Sequence, residues 1–210
     1  KQAIFLARRV KKHLGVPISL ATANKRDFDY MYSDQRDLFD KIIEIDHQEY
    51  NTKRYYDGTY HHETLEFRNA GRIDSYELSP YDKTLVLDTD YVICNNSFVN
   101  AFDIDTSFQI YRYGTDLCDW RNLSEFKYIN DTGIPFYWAT CFCFEKNVEV
   151  KMFFNLMKHI KKNWFHYSQI FNLGSRNFRN DHIFSIAIHI MNGYQDGDWA
   201  KTLPGKMFYT

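Results

Sequence analysis

Apolar residues near the start of the chain fall at helical spacing: Ile4, Leu6, Ala7, Val10 and Leu14, with Arg8, Arg9, Lys11 and Lys12 between them. The spacing predicts a surface helix over 2–14 that Gly15 and Pro17 stop. Residues 16–22 then predict a short strand, with its proline near the start. Ser33 or Asp34 is placed to cap a second helix carrying Leu38, Phe39, Ile42 and Ile43. The polar stretch 47–61 predicts a loop, and Leu65, Ala70, Ile73 and Tyr76 predict helix over 62–78, despite the poor helix former Gly71. A turn over 79–83 leads into Thr84-Leu85-Val86-Leu87-Asp88, a continuous apolar strand ending on an acid. Such a run suits a strand buried on both faces in the middle of a mostly parallel sheet. Phe108 and Ile110 alternate with polar neighbours and predict strand near 106–113, and 134–144 predicts a long buried strand. Val150, Phe153, Phe154, Met157, Ile160 and Trp164 mark the clearest amphipathic helix. A last helix, starting at Asn180 or Asp181, carries Ile183, Phe184, Ile186, Ala187, Ile188 and Ile190. Strands alternating with helices, without repeat or linker, give an α/β fold in one domain over 1–210.

Composition narrows the class. The 210 residues are 44% hydrophobic and 25% charged, ordinary values that exclude wholesale disorder. Twenty-six basic against 27 acidic residues leave a net charge of -1, which argues against nucleic acid as a partner. No apolar run approaches the ~18 residues that a membrane-spanning helix needs, so no membrane span is expected. Aromatics reach 18%, enough to supply most of the core. Cys94, Cys118, Cys141 and Cys143 are too few and too scattered for a disulfide scaffold, and no second pair completes a zinc-finger spacing. Reduced thiols in a cytoplasmic setting are expected. The chain opens on Lys1 inside its first predicted helix and closes soon after Pro204-Gly205-Lys206, predicting a domain truncated at both ends.

The candidate chemistry centres on Asp88-Thr89-Asp90, directly after the apolar strand. In an α/β sheet, ligands gather outside the carboxyl ends of the strands. With an extended backbone, Asp88 and Asp90 point to one side with Cα atoms roughly 6.6 Å apart, two strand rises. Two carboxylates so placed would share a hard divalent cation, Mn²⁺ or Mg²⁺. The plainer alternative is a strand-end turn in which both acids hydrogen-bond backbone.

This element and its approach, Arg72 through Asp90, resemble the D-x-D region of nucleotide-sugar-dependent glycosyltransferases with the GT-A fold. The segment 134–144 is similar to the family's later strand on the acceptor side, and Phe178-Arg179-Asn180-Asp181 resembles its acid-bearing helix start. The order of pieces matches over about 1–195. The resemblance implies a single GT-A-like (Rossmann-like) domain, a mostly parallel mixed sheet flanked by helices, without the family's first strand, since the chain opens on the helix that would follow it. It also implies transfer of a sugar from a nucleoside-diphosphate-sugar donor to an acceptor hydroxyl of unknown identity. Asp90 would hold the metal, with Asp88 contacting metal-bound water or ribose, and Arg72 would meet the leaving diphosphate. Asp181 would take the acceptor proton in an inverting enzyme or steady the sugars in a retaining one; its plainer reading is a helix N-cap. His189 is a poor match for the family's late metal-binding histidine and is read as a core or surface side chain.

Two rival functions remain open. Hydrophobic strand followed by D-x-D-x-Val also fits the first motif of haloacid-dehalogenase-like phosphatases, with Asp88 as nucleophile and Asp90 as acid. About 87 residues precede a motif that normally opens that domain, and no later Lys and acidic pair completes its Mg²⁺ site. The other rival is a catalytically silent GT-A-like binding module. His61-His62 and the basic run Arg8 to Lys12 are read as solvated, and Trp138 and Thr140 as core.

Overall fold

The computed structural model describes residues 1–46, 53–54, 65–66, 70–118, 126–131, 133–173 and 178–209. Helix α1 (Gln2–His13) buries Ile4, Leu6, Ala7 and Val10, the apolar stripe read from the sequence. Its basic face is not simply solvated. Arg9 Nε donates to the Ile93 carbonyl at 2.7 Å and Lys11 Nζ to the Asp37 carbonyl at 2.7 Å, tying the helix to the loop at 93 and to the 3-10 turn at 37. Strand β1 (Ser19–Thr22) follows, then the short helix α2 (Lys25–Met31), a 3-10 turn over Ser33–Leu38 and strand β2 (Lys41–Glu44). The helix expected to carry Ile42 and Ile43 therefore stops at Leu38. These two β-branched residues instead pair in parallel with Leu20 and Ala21. The predicted loop 47–61, His61-His62 and the start of the predicted helix 62–78 lie largely outside the described residues. Within that stretch β3 (Lys53–Arg54) pairs antiparallel with β4 (Leu65–Glu66), so Leu65 belongs to a strand rather than a helix.

A 3-10 turn over Ala70–Asp74 and the single helical turn α3 (Ser75–Leu78) lead into β5 (Lys83–Leu87). The remaining elements are α4 (Asn100–Asp103), β6 (Phe108–Tyr111), β7 (Thr115–Asp116), β8 (Trp138–Glu145), α5 (Val148–Lys162), α6 (Trp164–Ile170), α7 (Asn180–Met191) and β9 (Phe208–Tyr209). The fold is mixed α/β. Its largest described sheet has three strands in the order β5-β8-β6, with β8 antiparallel to both neighbours; β1–β2 and β7–β9 are parallel pairs. A mostly parallel sheet was expected, but an apolar run reports burial and says nothing of the direction of the strand beside it. Burial also differs from expectation. Every position of β5 is only partly buried, because β5 lies at the edge of this sheet among the described residues.

Register explains which side chains meet. Thr84, Val86 and Asp88 alternate onto one sheet face, beside Phe144, Phe142 and Thr140 of β8. That face is covered by α5 and α7, whose Phe153, Phe154, Ile183 and Phe184 are fully buried against Phe108, Phe142 and Phe144. The opposite face, Leu85 and Leu87, meets Leu6 and Val10 of α1 and its C-cap Leu14, together with Phe98 and Val99. Helix α5 starts cleanly because Asn147 Oδ1 accepts from the Val150 N–H at 2.8 Å. Among the described residues, no helix is long and apolar enough to cross a membrane.

Candidate functional site

Asp88 ends the inward-facing row of β5. Its backbone N–H continues the ladder to the Thr140 carbonyl at 3.2 Å, and its own carbonyl then accepts from the Tyr91 N–H at 3.2 Å. The strand thus closes into a turn over 88–91. The extended backbone that would align the two acids is absent, because the ladder with β8 ends at Asp88 and nothing holds the next residues straight. Asp90 is exposed, whereas Asp88 remains partly buried.

Arg72 reaches the same place from the 3-10 turn before α3. Its Nε donates to Asp88 Oδ1 at 3.0 Å while Nη2 donates to Asp88 Oδ2, a forked pair that uses both carboxylate oxygens. The Arg72 side chain is only 8% exposed and that of Asp88 22%. Burial pushes the Asp88 carboxyl above its usual range; Arg72 opposes the shift, while the charges of Asp90 and Asp181 add to it.

Asp181 comes from the first turn of α7. It is not the N-cap, which is Arg179, and no side-chain cap bond forms there. Its Oδ1 accepts from the Ala139 N–H of β8 at 3.0 Å and its Oδ2 from Arg179 Nη2 at 3.1 Å, so it fastens α7 to β8. Burial alone would raise its carboxyl. The guanidiniums of Arg179 and Arg72 and the Ala139 N–H overcome that, leaving it below the ordinary carboxylate value. The four residues singled out thus act electrostatically on one another at the carboxyl end of β5: Arg72, Asp88 and Asp181 are buried or partly buried, and Asp90 is exposed.

The fit of this cluster to a divalent cation is partial. Both oxygens of Asp88 accept from Arg72, and Asp90 is exposed in the turn beyond it. No group of three or more His, Cys, Asp or Glu side chains able to hold a metal occurs among the described residues. In this arrangement the two acids do not form a shared grip. His189 lies eight residues beyond Asp181 on α7, about 12 Å along the helix axis. Its ring meets Phe171 and Tyr194 edge-on, and burial lowers its pKa, with Asp196 opposing.

Several parts of the site were not foreseen. The Tyr91 hydroxyl lies 2.8 Å from Thr140 Oγ1 and donates to Met207 Sδ at 3.5 Å, so Thr140, read as core, lines the mouth. The segment 203–209 crosses beside the D-x-D turn: Tyr111 donates its hydroxyl to the Pro204 carbonyl at 2.7 Å, and Thr115 N–H bonds the Met207 carbonyl at 3.0 Å. Gly205 makes this crossing possible, since its φ of +83° disfavours other residues and a Cβ there would come 3.1 Å from the Cβ of Ser97. The Pro204-Gly205 pair was the available sequence signal for a turn. Arg179 was visible beside Asp181, but its pairing needed coordinates.

Comparison with protein-family models, with curated proteins and with solved structures finds no match, so the site stands on its own geometry.

Proposed function

We propose that this chain is a GT-A-like glycosyltransferase domain that moves a sugar from a nucleoside-diphosphate-sugar donor to an acceptor hydroxyl. The observation that carries the reading is the convergence of Arg72, Asp88 and Asp181, from three separate elements, on the carboxyl end of β5 beside the open acid Asp90. Arg72 is the cation suited to a departing diphosphate: a planar fork, largely removed from water, where its charge is screened least. Asp181 suits the steadying role better than the proton-accepting one. A carboxylate already holding two donors and kept below its usual pKa is a weak base. Mn²⁺ or Mg²⁺ belongs to the same proposal, with Asp90 as its open ligand. Four free cysteines accord with a cytoplasmic setting.

The phosphatase alternative asks Asp88 to attack phosphorus, yet both of its oxygens face a guanidinium that would blunt a nucleophile. A silent module is separated from an enzyme by assay. The full chain is incubated with a panel of nucleotide sugars and Mn²⁺, and nucleoside diphosphate release is followed. Release from one donor, lost by at least tenfold in Arg72→Gln, is expected. Hydrolysis of p-nitrophenyl phosphate with no response to any nucleotide sugar would replace this reading with the phosphatase. Silence in both assays, with no nucleotide-induced rise in Tm, would leave the binding module without a donor.

A further inference from the structure

Arg112, directly after β6, is a charged group that the fold leaves without a hydrogen bond among the described residues. Strands β5 and β6 run parallel to each other, with β8 antiparallel between them. Arg112 therefore leaves the sheet at the same edge as Asp88, two strand spacings or about 10 Å across. We propose that Arg112 and Tyr137 form a second subsite there, which binds the oxyanion of an acidic sugar, a carboxylate or a phosphate, and that this sugar is the acceptor. The subsite stands on its own contacts; its role as acceptor site rests on the donor reading above.

The Arg112 side chain is 23% exposed, and its Nε is buried outright with no partner. The acid it faces, Asp196, brings Oδ1 to 3.6 Å from Nη1, beyond hydrogen-bond reach, and is itself 70% exposed. The exposed Tyr113 ring lies 5.5 Å from the guanidinium carbon and offers a flat apolar face beside the charge. Tyr137 is fixed by its backbone N–H, which donates to Ser185 Oγ of α7 at 3.0 Å. Its ring is buried, yet its hydroxyl has no hydrogen-bond partner among the described residues. Burial pushes that hydroxyl's pKa up, Arg112 opposes the shift, and Asp196 and Tyr113 add to it, so the four side chains share one electrostatic neighbourhood. Donors removed from water and left unmade cost free energy, which a ligand with matching acceptors restores. A carboxylate or phosphate presents two oxygens to the guanidinium edge, in the fork that Arg72 and Asp88 already form, and the Tyr137 hydroxyl is a further donor. Asp196 is the internal competitor: an exposed pair of this length contributes little and yields to an anion that reaches both Nη atoms. A neutral sugar leaves the guanidinium unmatched. The two subsites are also coupled in space, since α7 grips β8 and its approach at both, through Ser185 at Tyr137 and Asp181 at Ala139.

The test uses the full chain without any donor. Binding of glucuronate, glucose 6-phosphate and neutral glucose is followed by nuclear magnetic resonance, which includes the arginine Nε–H signals. An acidic sugar should bind and shift the Arg112 Nε–H signal, whereas glucose should not; the tighter of the two acids identifies the oxyanion. Arg112→Gln should weaken that binding at least ~10-fold, the loss of a charge-assisted bond. Tyr137→Phe keeps the buried ring, guards against a variant that fails to fold, and should weaken it by about 2- to 10-fold. Asp196→Asn removes the competitor and should tighten it by up to about 5-fold. Arg72→Gln should leave it unchanged, because the acid does not sit at the donor mouth. Equal affinity for glucose, full affinity in Arg112→Gln, loss in Arg72→Gln, or no binding of either acid would each overturn the subsite. Acid binding at Arg112 in a chain that releases nucleoside diphosphate from no donor would keep the subsite and remove the donor reading. Turnover of a nucleotide sugar without acid binding would do the reverse.

Discussion

The aromatic core under β8 and the polar mouth beyond β5 lie on the same sheet face yet are held by different physics. Phe108, Phe142, Phe144, Phe153, Phe154 and Phe184 are all at 0% exposure and touch one another at centroid distances from 4.8 to 6.4 Å. Each ring has many neighbours, and the loss of any one is shared among the rest only in part. At the mouth, Arg72 pairs with Asp88, 16 positions away, and Asp181 holds the distant Ala139 N–H and the neighbouring Arg179, each by directed bonds. The core is built by area and tolerates some imprecision. The mouth is built by pairing, so one removed charge changes what its partner does.

The largest expected effect falls on the core. Phe154→Ala removes a ring that meets Tyr76, Phe142, Phe144 and Phe153. Truncation of a buried Phe costs about 3–5 kcal/mol, or roughly 10 °C in Tm for a domain of this size, measurable by urea and thermal unfolding. A loss below about 1 kcal/mol would mean that the cluster rearranges to fill the space, and the contrast with the mouth would weaken.

Asp181→Asn probes the other side. Asn can still accept from Ala139, but the charged pair with Arg179 is lost, an expected cost of about 1.5–3 kcal/mol. The pH dependence has a definite sign. The folded carboxyl lies below its ordinary 3.8, so its contribution is complete above that value and is lost as pH falls through the folded pKa. The stability difference between the unmodified chain and Asp181→Asn should therefore hold steady from neutral pH down to about 4 and shrink only below it. A difference that shrinks already near pH 6 would show that Asp181 is not kept charged by its neighbours.

These contrasts also explain what could be read before any coordinates. Helices α1, α5 and α7 and strands β5 and β8 follow from apolar spacing, because burial imposes a period on the sequence. Ile42 and Ile43 were misassigned since two adjacent β-branched residues fit either a helix face or a short strand, and the parallel partner Leu20-Ala21 lies about twenty residues away. The direction of β8 leaves no trace in composition. At the site, Asp88, Asp90, Arg72 and Asp181 were picked out by motif and resemblance, but the link between Arg72 and Asp88 crosses 16 positions and depends on how the 3-10 turn packs. Asp181 was read as the acid facing the reacting sugars, with a helix N-cap as the plainer alternative; that it holds the Ala139 N–H depends on a strand 42 positions away. Tyr91 and Thr140 carried no chemical signature, because a hydroxyl pair is defined only when the chain brings it together.

Thr140→Val is the smallest change and the sharpest test of whether core and mouth are separable. Thr140 lies on β8, on the same face as Phe142, while its hydroxyl pairs with Tyr91 beyond the end of β5. Valine preserves shape and strand preference, and the backbone bond from Asp88 N–H to the residue-140 carbonyl survives, so only the hydroxyl contact is removed. The Tyr91 hydroxyl would keep only the weaker acceptor Met207 Sδ, at an expected cost of about 1 kcal/mol. Combined with Phe154→Ala, the two losses should add to within about 0.5 kcal/mol, because no ring contact of Phe154 among the described residues reaches Thr140. A coupling above about 1 kcal/mol in this double-mutant cycle would mean that strand β8 transmits packing changes to the mouth, and that the two regions form one cooperative unit.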